Sequence, residues 1–259
     1  MALEAYHRYI AHRASELASG AILDFGCGHG NVVGLLRSWG CDAYGVDVFW
    51  GGMDWSEGPE RQFLDEGIIR EIKNGCIPFE DDTFDLIVSA QVLEHVDNLA
   101  QAIGEMARVL KPEGVMYHEY PTRDIWLEPH SRVPFSHRIP LKYRTTYLET
   151  WRRLGVGRHP LHIEDPHEWA AWGAEWMERY CSYRSRETIE TVMADYGFVI
   201  THDEVSNCLY RTSSRAVLRG VIAALPKLAS ASYQRLGSDC VIATRGARPL
   251  LGKEATLIA

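Results

Sequence analysis

Residues 21–39 narrow the possible folds more than any other stretch. A short apolar run, Ala21-Ile22-Leu23-Asp24-Phe25, leads straight into Gly26-Cys27-Gly28-His29-Gly30, and an amphipathic helical stretch, Asn31–Trp39, follows at once. Glycines at alternate positions let the backbone turn sharply and approach a ligand with no Cβ in the way. Between a strand and a helix, such a turn is the usual anchor of a doubly wound sheet, whose ligands sit beyond the carboxyl ends of the strands.

The flanking sequence supports that architecture. An amphipathic helix is predicted over Leu3–Ala18, closed by Gly20, and strands over 21–25, 42–48, 68–72, 84–90 and 114–120. Residues 59–67 read as weakly helical, and Leu99–Leu110 as a helix stopped by Lys111-Pro112-Glu113-Gly114. The continuous apolar run at 84–90 suits a strand buried on both faces. Strands alternating with helices call for an α/β protein with a parallel, doubly wound sheet.

After Pro121 the alternation stops. Five of the eight tryptophans and six of the eleven histidines fall between 117 and 180, which marks 121–184 as an inserted cap of different composition. The doubly wound pattern then resumes with a helix at Ser185–Tyr196, a strand at 198–205, a helical excursion and a final strand at 240–245. The expected organisation is a ligand-binding α/β domain over 1–120 and 185–245, a helical, Trp/His-rich substrate-binding cap over 121–184, and a loose tail over 246–259.

Composition excludes several classes. The net charge of −8, from 27 basic and 35 acidic residues, disfavours a nucleic-acid backbone as partner. No stretch approaches the 18 apolar residues of a membrane span. The N-terminus lacks the uninterrupted apolar core of a secretory signal, so a cytoplasmic location is expected. The six cysteines (27, 41, 76, 181, 208, 240) contain no CxxC pair and predict reduced thiols.

The ligand can be argued from charge. Asp47 ends the second strand, 21 positions after Gly26, where a carboxylate can accept from both hydroxyls of a ribose. The glycines run 26, 28, 30, and not as the G-x-G-x-x-G of a dinucleotide site. Asp24 beside the turn would repel a diphosphate but suits a ligand carrying an ammonium and a sulfonium. That points to S-adenosylmethionine.

ILDFGCGHG, GVDV, IPFEDDTFDLIVSAQVLEHVDN and EMARVLKPEGVMYHEYP resemble the successive motifs of the class I S-adenosylmethionine-dependent methyltransferases, and most closely the group with ubiquinone- and sugar-pathway enzymes. The resemblance covers 20–121 well and 185–245 more loosely. It implies a seven-stranded sheet with the last strand antiparallel. It also implies that Asp24, Gly26, Gly28 and Gly30 surround the methionine part of the cofactor. Asp47, followed by Val48, would hold the ribose, Asn74, Gly75 and Cys76 would flank the adenine, and Gln91 would sit near the sulfonium. Asn74 stands where the family often has an aspartate. In Phe49-Trp50-Gly51-Gly52-Met53-Asp54-Trp55, Phe49 or Trp50 either covers the adenine or packs.

Methyl transfer to an alcohol needs a base or a metal, because the oxygen loses a proton as it attacks. The fifth strand ends in Tyr117-His118-Glu119-Tyr120, and Glu128, His130 and His137 follow soon after. One of His130 and His137 is expected as base, oriented by Glu128 or Glu119, with His95 as a third candidate. The spacings match no strong metal motif, so no metal is expected. Arg123, Arg132 and Arg138 are candidates for gripping an acidic substituent, and Trp126, Trp151, Trp169, Trp172 and Trp176 for stacking on a ring. Spacing favours packing for the last three. E-x-H followed by P-F-x-H-x-x-P also resembles methyltransferases of glycan synthesis, which implies O-methylation of a sugar, polyol or glycan precursor. A quinone or phenolic acceptor is the alternative, and a non-catalytic cofactor-binding protein the third class. The first helix either covers the cofactor or meets another subunit.

Overall fold

A computed structural model describes residues 5–49, 61–157 and 163–245. Its centre is a seven-stranded sheet built from β1 (Ile22–Phe25), β2 (Ala43–Asp47), β3 (Ile69–Glu71), β4 (Phe84–Ala90), β5 (Leu110–Tyr120), β6 (Phe198–His202) and β7 (Asp239–Arg245). The spatial order is β3-β2-β1-β4-β5-β7-β6. Strands β1 to β5 pair in parallel, and β7 runs antiparallel to both of its neighbours. This is the sheet expected from the sequence.

Successive strand residues face opposite sides, and both sides are buried. Ile22, Leu86, Val88, Tyr117 and Ile242 meet α1 (Ala5–Leu17) and α2 (Asn31–Ser38) through Tyr9, Ile10, Val32 and Leu36. Leu23, Ile87, Met116 and Val241 meet α4 (Leu99–Val109) and α7 (Arg186–Asp195) through Ile103, Met106, Ile189 and Met193. A large-to-small change at such a site costs about 2–5 kcal/mol. Between β2 and β3 lies α3 (Arg61–Asp65), within the stretch read as weakly helical.

Segment 121–184 holds α5 (Leu141–Arg153), α6 (Pro166–Tyr180) and a 3-10 turn at Ser136–Arg138. It carries a small core of its own, in which Val133, Leu148, Trp169, Ala174 and Met177 are buried. Asp165 caps α6 by accepting from the amides of His167 and Glu168.

Two boundaries differ from expectation. Lys111-Pro112-Glu113-Gly114 does not separate helix from strand, because α4 ends at Val109 and β5 starts at Leu110 with a register shift opposite Phe84 and Leu86. The strand expected to reach 205 stops at His202. Glu204 is drawn inward, where its carboxylate accepts from Ser230 Oγ at 2.9 Å, Gln234 Nε2 at 2.9 Å and the Cys240 amide at 3.3 Å. It opens α8 (Glu204–Arg211), which is followed by α9 (Ala216–Ala224) and α10 (Pro226–Leu236). Pro226 in the first turn of α10 cannot continue α9. No helix among the described residues is long and apolar enough to cross a membrane. The expected tail, 246–259, lies outside the described residues.

Candidate active site

The strand order reverses between β1 and β4, and beyond their carboxyl ends opens a cavity of about 1210 Å³. Its floor is the glycine turn. Gly26 has φ +76°, and a Cβ there would lie 2.5 Å from the Val92 side chain, so two constraints demand glycine at this position. The amides of Gly26 and Cys27 both donate to the Val46 carbonyl, at 2.8 and 3.0 Å. Asp47 completes the frame. Its Oδ2 accepts from the Gly28 amide and its Oδ1 from the Phe49 amide, each at 2.9 Å.

Asp24 is buried, lines the cavity, and has its carboxyl pushed up to about 8 by burial and then by the neighbouring Asp47. Two acids at the ends of adjacent strands disfavour a phosphate and favour a cation. The fit to an ammonium and sulfonium ligand thus rests on the buried carboxyl as well as on the glycine turn. Gly28, Val48, Gly75 and Gln91 also line the cavity. Gln91 has φ +58° and donates through Nε2 to Ser238 Oγ at 2.9 Å. Gly30 caps α2 just behind the turn. Asn74 (φ +54°) and Cys76 are neighbours of Gly75 but do not themselves line the cavity, and Cys76 is exposed. Phe49 packs against the cluster of Cys27, Val33 and Ile69, while 50–55 lie outside the described residues. Tyr6 and His7 of α1 reach the cavity, so the first helix covers part of it.

Two histidines of the lining, His95 and His130, are held by hydrogen bonds. Glu128 is fully buried, and four donors converge on it: His130 Nδ1 at 2.6 Å, Tyr183 Oη at 2.5 Å, and the amides of Ser131 at 2.5 Å and His130 at 3.1 Å. Burial opposes ionisation, but the His130 charge and these hydrogen bonds outweigh it and hold Glu128 well below the usual carboxylate range. His130 lines the cavity with its ring 4.8 Å from that of Trp176 and 5.2 Å from that of His95. His95 donates from Nδ1 to the Tyr180 carbonyl at 2.7 Å; burial and then His130 lower its pKa to about 4. Its ring is therefore neutral.

The other predicted residues separate. His137 does not line the cavity; its Nε2 donates to the Arg123 carbonyl at 3.0 Å and its ring lies against Tyr183. Glu119 does line it, but accepts from Arg211 at 3.2 Å and Tyr233 Oη at 3.1 Å, and so orients neither histidine. His118 is buried against Ser89 Oγ at 2.7 Å, its pKa lowered to about 3 by burial. Arg132 reaches the cavity, joined by Arg179, which the sequence reading overlooked. Arg138 instead donates to the Arg123 carbonyl at 2.9 Å. Trp169 is buried in the 121–184 core, whereas Trp176 faces the cavity with Trp172 stacked on it at 6.0 Å.

Three further groups escaped the sequence reading. Tyr183 is the second side-chain donor to Glu128. Cys181 offers a sulfur that, with one nitrogen each of His95 and His130, falls within 4.8 Å of the other ligand atoms. Glu94 is buried with both carboxylate oxygens lacking a hydrogen-bond partner, 3.9 Å from His95 Nε2, and burial pushes it up to about 8. Its place beside His95 in LEHV was the one available signal.

A seam fastens segment 121–184 to the turn after β4. Arg184 donates to the carbonyls of Leu93 at 3.3 Å, Val96 at 2.7 Å and Asp97 at 2.8 Å. The Ser182 amide donates to Glu94 O at 2.6 Å, and the His95–Tyr180 bond adds to the seam.

The strand order, the glycine turn and the acid that braces it are those of the class I S-adenosylmethionine-dependent methyltransferases. A family model described as a methyltransferase domain matches residues 3–203, and the chain belongs to that family. The sterol 4-C-methyltransferase strm-1 of Caenorhabditis elegans is 32% identical over 130 residues, 48% of this chain and 38% of that protein. The ubiquinone/menaquinone biosynthesis C-methyltransferase UbiE of Desulfotalea psychrophila is 27% identical over 143 residues, 52% of this chain and 56% of that protein. The chain spans about half the length of these curated relatives. Among solved structures, an S-adenosylmethionine-dependent methyltransferase from Mesorhizobium loti aligns with a TM-score of 0.51 at 16% identity, over 92% of this chain and 98% of that one, a likeness of fold.

Proposed function

We propose that the protein transfers the methyl group of S-adenosylmethionine to a hydroxyl of a small ring-bearing acceptor, a sugar or polyol in the first instance. The observation that carries this reading is the Glu128–His130 pair on the cavity wall beside Trp176. Bound at the glycine turn, S-adenosylmethionine supplies an electrophilic methyl group on a sulfonium. Asp24 offers its carboxylate to the ammonium, and the Asp47 carboxylate is available to the ribose.

The chain's main task is to position the acceptor for in-line attack. Trp176 lines the cavity beside His130 as apolar surface for a ring to pack against, and Arg132 and Arg179 suit a carboxylate or phosphate substituent. Glu128 accepts the Nδ1 hydrogen of His130, so the deprotonated form of the ring carries its lone pair on Nε2. The acceptor proton passes to that nitrogen as the oxygen attacks, and Glu128 stabilises the imidazolium formed.

A phenolic or quinol acceptor is the second reading, favoured by the sequence similarity to C-methyltransferases of sterols and quinones. The same base would ionise a phenol and so activate the adjacent ring carbon. The test is transfer from methyl-labelled S-adenosylmethionine to a panel of acidic sugars, polyols and quinols, with the methylated atom located by NMR. An O-methylated sugar, absent with His130→Gln, supports the first reading; a ring-methylated quinol moves the assignment to the second. Undiminished turnover in His130→Gln would remove the base from either.

A further inference from the structure

Helices α9 and α10 bury little apolar surface, although Ser230, Tyr233 and Gln234 of α10 hydrogen-bond to Glu204 and Glu119. Ile222 is the one buried residue of the two. Val217 lies roughly 140° around the helix from Ile222, on the side away from that anchor, and it is 86% exposed. Leu218, Val221, Leu225 and Leu228 are exposed as well, the last at 62%. Two consecutive helices thus present large apolar side chains to solvent, well beyond the scattered exposure that folded surfaces tolerate.

The charge around them is equally uneven. No acidic residue occurs between Glu204 and Asp239, while Arg211, Arg215, Arg219, Lys227 and Arg235 all do, in a chain of net charge −8. Arg211 turns inward to Glu119, and Arg235 donates to the Asp124 carbonyl. Arg215, Arg219 and Lys227 remain exposed beside the apolar residues.

We propose that α9 and α10 dock the protein on an anionic lipid surface. Apolar side chains flanked by cations and free of acids match such an interface, where the apolar groups enter the acyl boundary and the cations stay with the head groups. Two copies meeting through this face would bring like charges together, which disfavours self-association. Tyr233 and Leu236 of α10 line the cavity, so docking brings lipid beside its wall. Delivery of a lipid-borne acceptor from that side rests on the methyl-transfer reading; the docking does not.

The test is flotation of the full chain with vesicles of phosphatidylcholine alone and of equimolar phosphatidylcholine and phosphatidylglycerol. Binding to the anionic vesicles at low salt is expected, at least about tenfold weaker on phosphatidylcholine alone and released by salt that screens the charges. Val217→Asp combined with Val221→Asp changes only exposed positions and should cut partitioning by about tenfold or more. Arg215→Gln, Arg219→Gln and Lys227→Gln together should lower it on the order of a hundredfold, at about fivefold per cation. Unchanged thermal unfolding of the variants establishes that they are folded. Failure to float with anionic vesicles at low salt, or flotation indifferent to both sets of substitutions, overturns the proposal. So does a stable dimer in light scattering that the valine substitutions split. S-adenosylmethionine binding measured on the same preparation separates failure of the docking from failure of the cofactor site.

Discussion

Asp47 Oδ2 accepts the Gly28 amide at 2.9 Å, so the residue that ends one strand fixes the shape of the turn that follows its neighbour. Its other oxygen holds the Phe49 amide, and both oxygens keep lone pairs for a ligand. Asp47→Ala should weaken S-adenosylmethionine by about 1.5–3 kcal/mol, the worth of a hydrogen bond to a charged group. Titration calorimetry with the cofactor and with S-adenosylhomocysteine measures this. A wild-type protein that binds neither ligand would reduce the glycine run to a bare structural turn.

Asp24 ties cofactor binding to pH. Its folded-state carboxyl titrates near 8, against an ordinary value of 3.8. Between those values the folded chain holds a proton that the unfolded chain has lost. The residue's contribution to stability therefore falls as pH rises from about 4 to about 8 and does not recover above. A bound cation lowers the pKa, so binding near pH 7 should release a proton. Calorimetry in two buffers of unlike ionisation heat detects it, and Asp24→Asn should abolish it. Identical heats in both buffers for the wild type would show that the carboxyl does not change its ionisation on binding.

The two wall residues should be separable from their neighbour in sequence. His130→Gln and Glu128→Gln are expected to lower kcat by about 10²–10⁴, the range for a positioned base, with cofactor affinity retained. His137→Ala should instead cost about 1 kcal/mol of stability through its lost bond to Arg123 while kcat stays near wild type. Chemical denaturation and single-turnover kinetics report the two effects independently. A large kcat defect in His137→Ala would return that residue to the list of bases.

The grouping of His95, His130 and Cys181 bears on metal dependence. Both rings direct a Nδ1 hydrogen to an oxygen acceptor, and the Cys181 thiol is pushed up by burial and then by Glu128 and Glu94. Turnover should survive EDTA, and Cys181→Ser should remain active. Elemental analysis gives the decisive readout: stoichiometric zinc, lost from Cys181→Ser, would turn the histidines from bases into ligands.

Gly26→Ala should be among the most damaging single-methyl changes. The new Cβ would meet Val92 at 2.5 Å in a left-handed backbone, and a strained backbone position of that kind costs about 1–3 kcal/mol before any clash. Thermal unfolding should fall and cofactor binding should be lost together. Normal binding in the variant would show that the turn can relax.

The sheet was legible because local signals agreed with one another. Ile22 and Leu23 alternate between faces, Gly26 closes the strand, and Asp47 ends the next, so the doubly wound reading needed no long-range information. Asp24, Gly26 and Gly28 meet at the cavity floor for the same reason, since they are near neighbours in sequence. The far wall was less legible. Glu128 and His130 are two residues apart, but Tyr183 reaches them across 55 positions, and no periodicity announces such a meeting. By composition alone, His137 and Glu119 are equivalent to their neighbours. Only the fold reveals that one donates to a backbone carbonyl and the other is occupied by an arginine and a tyrosine on α8 and α10. Glu204 looked like the end of a strand because its inward turn depends on Ser230 and Gln234, far downstream.

Arg184 has a thermodynamic consequence. By gripping the carbonyls of Leu93, Val96 and Asp97, it ties the turn behind the crevice to the end of the 121–184 segment. An acceptor that shifts the segment then shifts Val92 and His95 on the cofactor side, and a bound cofactor biases the segment in return. For an acceptor bound against that segment, whatever factor it adds to the affinity of the cofactor must be returned in equal measure.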